Sequence, residues 1–162
     1  MIIFIIIFSF LFQLSITNII NLNTYIIPLF ILSSFSILYP YFKNKFNFII
    51  AITLIGFLYD ISMNMTFINT IIYSICGALI IFFNKLLKYN IYTSNFINIL
   101  IIIIYNLLLI LIFNLINYTN FNFNILVKII LQSQILNLIY GIILYKIVNL
   151  LSNILDVHKN IN

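Results

Sequence analysis

Arginine, glutamate and tryptophan are absent from this 162-residue chain, and histidine and cysteine occur once each. Those absences remove most catalytic chemistry. A metal centre draws three or four ligands from His, Cys, Asp and Glu, and here there are one His, one Cys and two Asp. His158 and Asp156 are close in sequence but belong to a polar tail, where solvation is the simpler expectation. Cys76 lies in an apolar run with no His or Lys to activate it, and a lone thiol excludes an internal disulfide. Gly56, Gly77 and Gly141 are the only glycines, so no phosphate-cradling loop can form. No catalytic residue, metal site or cofactor is expected.

Charge is equally scarce. Only 6% of residues are charged, where a soluble domain carries about a quarter. Hydrophobic residues make up 65% of the chain, and mean hydropathy is +1.26. The expected solvent is lipid, and the expected fold class is an all-α integral membrane protein in which each helix pairs its own backbone groups. The net charge of +5 raises the question of nucleic acid. The lysines fall at the ends of apolar runs, without interleaved aromatics or an arginine-rich segment, so a nucleic-acid surface is not expected.

What is abundant is Ile, Asn, Phe, Tyr and Lys, all drawn from AT-rich codons. Single Asn residues therefore carry little functional weight by themselves. Apolar runs of about twenty residues mark transmembrane helices. They divide the chain, read as one polytopic membrane domain over 1–162, into six spans at about 2–20, 25–42, 46–61, 67–83, 95–116 and 125–151. The first has no basic residue before it and no small-residue cleavage site, so it is read as a retained span and not a signal peptide. Pro28 suits the first turn of the second span, and Pro40 helps to end it.

Lysine placement orients these spans. With the N-terminus in the cytoplasm, Lys43 and Lys45, Lys85 and Lys88, and Lys146 and Lys159 all fall inside. The connections around Asn21, Met63 and Tyr118 hold no lysine. Both termini are therefore expected to be cytoplasmic. Lys128 is the exception, about a turn inside the outer end of the sixth span.

The central stretch runs from Gly56 to Asn69 and holds Asp60. Gly56 and Asp60 are four apart, which stacks them on one helix face. An ionisable residue inside a span points to a functional site; the plainer alternative is an Asp that ends a helix in water. Asp60 and Lys128 lie at similar depth, so they are expected to approach each other, with Gln132 one turn below completing a polar seam. Alternatively, Lys128 snorkels to the headgroups by itself. Small residues mark possible helix-contact faces: Ser33, Ser34 and Ser36 on the second span, and Ser74, Gly77 and Ala78 on the fourth.

The run Gly56-Phe57-Leu58-Tyr59-Asp60-Ile61, a short uncharged turn and then Asn69 resembles the motif of the rod shape-determining protein MreD family. That family closes one span with a Gly-Leu-Leu-x-Asp-Leu type motif and opens the next with a Gly-Leu-Asn type motif. Gly56, Asp60 and Asn69 match it, and the family's second glycine falls at Phe67. Length and six-span hydropathy agree as well. The resemblance implies a non-enzymatic scaffold of the bacterial cell-elongation complex in the cytoplasmic membrane. Its implied partners are the bitopic protein MreC, the actin-like protein MreB, a SEDS glycosyltransferase and a class B transpeptidase. A chain with so little outside the membrane acts through helix faces, short loops and membrane lipid. The rival reading is the substrate-binding subunit of an energy-coupling factor vitamin transporter. There Asp60, Asn69, Lys128 and Gln132 would supply the polar groups of an outer pocket.

Overall fold

A computed structural model describes residues 1–19, 27–63, 67–116 and 123–155. Among them there are six α-helices and no strand: α1 (Ile2–Ile19), α2 (Phe30–Leu38), α3 (Lys45–Ser62), α4 (Ile68–Leu86), α5 (Ile91–Leu115) and α6 (Phe123–Ile154). A 3-10 turn, Tyr39–Tyr41, continues α2. Four helices are long and apolar enough to cross a membrane: α3, α4, α5 and α6 over Leu126–Ile154. The apolar stretches Ile2–Thr17 and Phe30–Tyr41 are shorter.

The second span is where structure and expectation part. A single helix over 25–42 with Pro28 in its first turn is not formed. Ile27–Leu29 is non-helical, and α2 is only nine residues long. At 1.5 Å per residue it covers about 14 Å, half of a bilayer core. Pro28 accounts for Ile27, because the residue before a proline is pushed out of the helical region; Leu29, at φ −122° and ψ 46°, is also outside it.

This short helix is also the core. Each residue from Phe30 to Leu38 is buried, and α1, α4, α5 and α6 pack around it. Phe35 sets its ring edge-on to Phe48 of α3, 5.6 Å between centroids. The outer helices turn their largest apolar side chains outward, as Phe4 and Phe8 do on α1 and Leu131, Ile135 and Ile139 on α6. That is the inverse of a soluble bundle, and it suits a lipid solvent.

The α3–α4 pair makes the most extensive helix contact in the molecule. α5 starts with a capping box, Asn90 accepting from the Thr93 amide and Thr93 Oγ1 accepting from the Asn90 amide. Just before it, Tyr89 donates to the Ile37 carbonyl at 3.0 Å. Burial raises the Tyr89 pKa well above an ordinary phenol, so this donor keeps its proton.

Candidate functional site

The first polar centre lies at the turn between α3 and α4. α4 starts after Phe67, whose φ of 51° is left-handed and which gives the helix no side-chain cap. The first amides of α4 therefore need outside acceptors. Asp60 supplies them from α3. Its Oδ1 accepts from the Asn69 amide at 3.0 Å and from Asn69 Nδ2 at 2.9 Å. Its Oδ2 accepts from the Thr70 amide at 2.7 Å and from Thr70 Oγ1 at 2.6 Å. Asn69 and Thr70 are the second and third residues of α4, the positions an N-cap side chain serves. The carboxylate also places its negative charge at the positive end of the helix dipole. Asp60 is 2% exposed.

Gly56 lets the two helices come close enough for this. A Cβ there would lie 2.9 Å from Tyr73 Cβ, 3.1 Å from Thr70 Cα and 3.2 Å from the Asn69 carbonyl oxygen. Two of those atoms are backbone, so the helices would have to separate. The contact continues along the hairpin. Thr53 Oγ1 and Ser74 Oγ are 2.9 Å apart, and Gly77 packs against Ile52. From α5, Tyr105 donates to Asn69 Oδ1 at 2.5 Å. Asp60, Asn69 and Tyr105 thus join three helices through buried side chains.

The second polar centre surrounds the non-helical segment before α2. The Ile27 amide donates to Ser133 Oγ at 3.0 Å, and the Leu29 amide to Asn137 Oδ1 at 2.8 Å. Pro28 between them has no N–H to satisfy. Asn137 Nδ2 returns a hydrogen bond to the Ile27 carbonyl at 3.2 Å. Its carboxamide thus bonds the backbone on both sides of Pro28, accepting from Leu29 and donating to Ile27. One helix turn on, the Ile31 amide donates to Gln13 Oε1 of α1 at 3.1 Å. Backbone away from water survives only when paired in this way. Deeper along α2, Ser34 donates to Ser9 of α1 at 2.6 Å, and Ser9 lies 2.7 Å from the Tyr140 hydroxyl of α6.

The residues singled out from sequence fall as follows. Gly56, Asp60 and Asn69 meet in one clamp. Lys128 and Gln132 are not part of it. Both are exposed on α6, and the carboxylate oxygens are occupied by Asn69 and Thr70. At Asp60 the expected seam with Lys128 and Gln132 is not what holds the carboxylate: its bonds go to Asn69 and Thr70, nine and ten residues on. Ser33, Ser34 and Ser36 lie in helix contacts within the bundle, all three buried. Ser74 and Gly77 face α3, while Ala78 is exposed. His158 and Asp156 lie outside the described residues.

Thr70, Tyr105, Gln13, Ser133 and Asn137 are structural residues that the sequence reading passed over. Ser133 and Asn137 are four apart in an apolar helix, a signal hidden by the general excess of Asn. Among the described residues, no three of His, Cys, Asp and Glu cluster as metal ligands. The chemistry present is hydrogen bonding that fixes helices against one another. No protein-family model, curated protein or solved structure matches this chain.

Proposed function

We propose that the chain is a non-enzymatic scaffold of the bacterial cell-elongation complex, working in peptidoglycan synthesis and cell shape, as the resemblance to the MreD family implies. One observation carries the reading. Gly56, Asp60 and Asn69, the positions on which the resemblance rests, converge in a single clamp. The residue standing where the family has its second glycine, Phe67, has the left-handed φ that favours glycine. The resembling stretch therefore acts as one structural unit whose product is a rigid α3–α4 hairpin. A rigid hairpin with exposed apolar flanks is a surface for other transmembrane helices.

In this proposal the chain crosses the cytoplasmic membrane six times, with both ends in the cytoplasm. The broken second segment makes one of these crossings. α2 and the 3-10 turn cover about 20 Å of a bilayer core of about 30 Å, and the non-helical residues 27–29 carry the chain further across it. Reporter fusions in the lysine-bearing connections should all read as cytoplasmic. A fusion at Lys88 that reads as external would overturn this topology.

The transporter reading needs Asp60, Asn69, Lys128 and Gln132 to converge on a ligand. Two of them are instead bonded to each other and two are exposed on α6. Extraction from native membranes in mild detergent, followed by mass spectrometry of co-purifying proteins, decides between the two. The scaffold reading expects an MreC-like bitopic protein, MreB, and the SEDS glycosyltransferase with its class B transpeptidase. Recovery of a membrane coupling subunit with paired ATPases, and of none of these, overturns it.

A further inference from the structure

The exposed lysines gather at one end of the bundle. Lys43 and Lys45 lie between the 3-10 turn and the first residue of α3, and Lys85 and Lys88 at the end of α4 and just beyond. Lys146 belongs to the same level, because the neighbouring Tyr145 packs its ring 5.8 Å from Tyr89 of the α4–α5 connection. Further along α6, Ser152 accepts from Tyr41 of the 3-10 turn. All five lysines are exposed. Asp60 is the one acidic residue among the described residues, and it is buried at the opposite end of α3. This end of the described structure therefore presents five positive charges and no carboxylate.

The surroundings of these lysines identify what neutralises them. Phe46 beside Lys45 is 73% exposed, Leu86 beside Lys85 65%, and Ile147 beside Lys146 47%. Lys45, Lys85 and Lys146 thus stand at the margin of an apolar, outward-facing surface. A lysine there lays its methylene stem along hydrocarbon and lifts its ammonium to headgroup level. Tyr92, 82% exposed, and the half-buried Tyr145 lie at the same level, where amphipathic rings favour the interface. The charges are also distributed over two connections and α6 and do not line one groove. That geometry suits a ring of separate lipid headgroups better than a single acidic polypeptide.

We propose that Lys43, Lys45, Lys85, Lys88 and Lys146 form a collar that holds anionic phospholipid headgroups in the adjoining leaflet. The anion recognised is the phosphodiester of a lipid with no compensating cation, such as phosphatidylglycerol. Binding is electrostatic, so it weakens with salt as the Debye length shrinks. The proposal is independent of the scaffold reading.

The full chain is reconstituted in phosphatidylcholine vesicles containing a minor fraction of phosphatidylglycerol. It is then extracted in mild detergent, and the retained lipids are quantified by mass spectrometry. Phosphatidylglycerol should be several-fold enriched over its share of the vesicle, and the enrichment should fall as salt rises. Replacing all five lysines by Gln should return it to the bulk share, whereas replacing all five by Arg should preserve it. Lys128→Gln, on the other half of α6, should leave it unchanged. Helical content by circular dichroism confirms that the variants are folded, and the salt series on the unmodified chain needs no variant at all. Retention at the bulk share in low salt overturns the proposal, as does enrichment that survives the Gln variant. Binding of soluble poly-glutamate without phosphatidylglycerol enrichment overturns it in favour of an acidic protein partner.

Discussion

α4 and α2 both begin with amides that their own sequence leaves unpaired, and both borrow a cap from another helix. α4 takes its cap from Asp60, nine residues before Asn69. α2 takes its caps from Gln13, 18 residues before Ile31, and from Asn137, 108 residues after Leu29. The first arrangement forms once two adjacent helices meet, at a small loop-closure cost. The second exists only when the first and last helices of the chain have closed around α2. A charged cap therefore serves the hairpin at the end of the bundle, and neutral carboxamides serve the interior, where an uncompensated charge would be costly.

If that contrast is right, the interior cap is the harder one to lose. Asn137→Leu deprives the buried Leu29 amide and the part-buried Ile27 carbonyl of their partners. An unsatisfied buried group costs about 1–3 kcal/mol, so about 3 kcal/mol is expected, read as a shift in unfolding by a graded denaturing detergent. Ser133→Ala removes only the Ile27 amide's acceptor and should cost about 1 kcal/mol. Equal effects from the two substitutions would mean that Asn137 does not act as the partner of this segment on both sides of Pro28.

The hairpin cap comes next. Asp60→Ala removes the acceptor of two amides and two side-chain donors. α4 starts at an end of the bundle, where water can take over part of the loss, so about 2 kcal/mol is expected. Asp60→Asn keeps one acceptor and turns an NH2 toward the other amide, and should fall between wild type and Asp60→Ala. Gly56→Ala pushes the helices apart and should cost about 1–3 kcal/mol as overpacking does. Because that displacement also pulls Asp60 away from α4, the double variant Gly56→Ala/Asp60→Ala should lose less than the sum of the two. Strict additivity would separate the glycine from the clamp. Tyr105→Phe, which removes one donor from Asn69 Oδ1, should cost about 1 kcal/mol and leave the hairpin closed.

The same contrast explains what the sequence disclosed. An all-helical membrane fold follows from apolar runs, and the helices α3, α4, α5 and α6 lie within a few residues of the predicted spans. Gly56, Asp60 and Asn69 were visible because their partners are local: a four-residue spacing on one helix and a short turn to the next. The expected partnership of Asp60 with Lys128 rested on depth in a span, which says nothing about which helices adjoin. The broken segment at Ile27–Leu29 was invisible for a related reason. Pro28 is compatible with a helix start, and only Ser133 and Asn137, more than a hundred residues away, make a non-helical backbone tolerable there. Ser33, Ser34 and Ser36 were visible as a helix-contact face because small residues mark close packing, but they do not say whether the neighbour is another protein or the same chain.

The smallest expected effect tests the clamp most selectively. Phe67 holds a left-handed φ, which costs a residue with a Cβ about 1 kcal/mol and glycine almost nothing. Its ring is 60% exposed and gains only a stacked contact with Phe57 at 5.8 Å between centroids. Phe67→Gly relieves the backbone and gives up that contact, about 0.5–1.5 kcal/mol, together with some chain entropy. The terms nearly cancel, so its unfolding midpoint should stay close to wild type. Phe67→Val keeps the backbone cost, adds the rigidity of a β-branched side chain and loses the ring, so it should be destabilising by about 1–2 kcal/mol. In an Asp60→Ala background the hairpin no longer enforces this conformation, and the difference between Gly and Val at position 67 should shrink. A difference that persists undiminished would mean that the backbone at Phe67 is set by the turn itself and not by the carboxylate that caps α4.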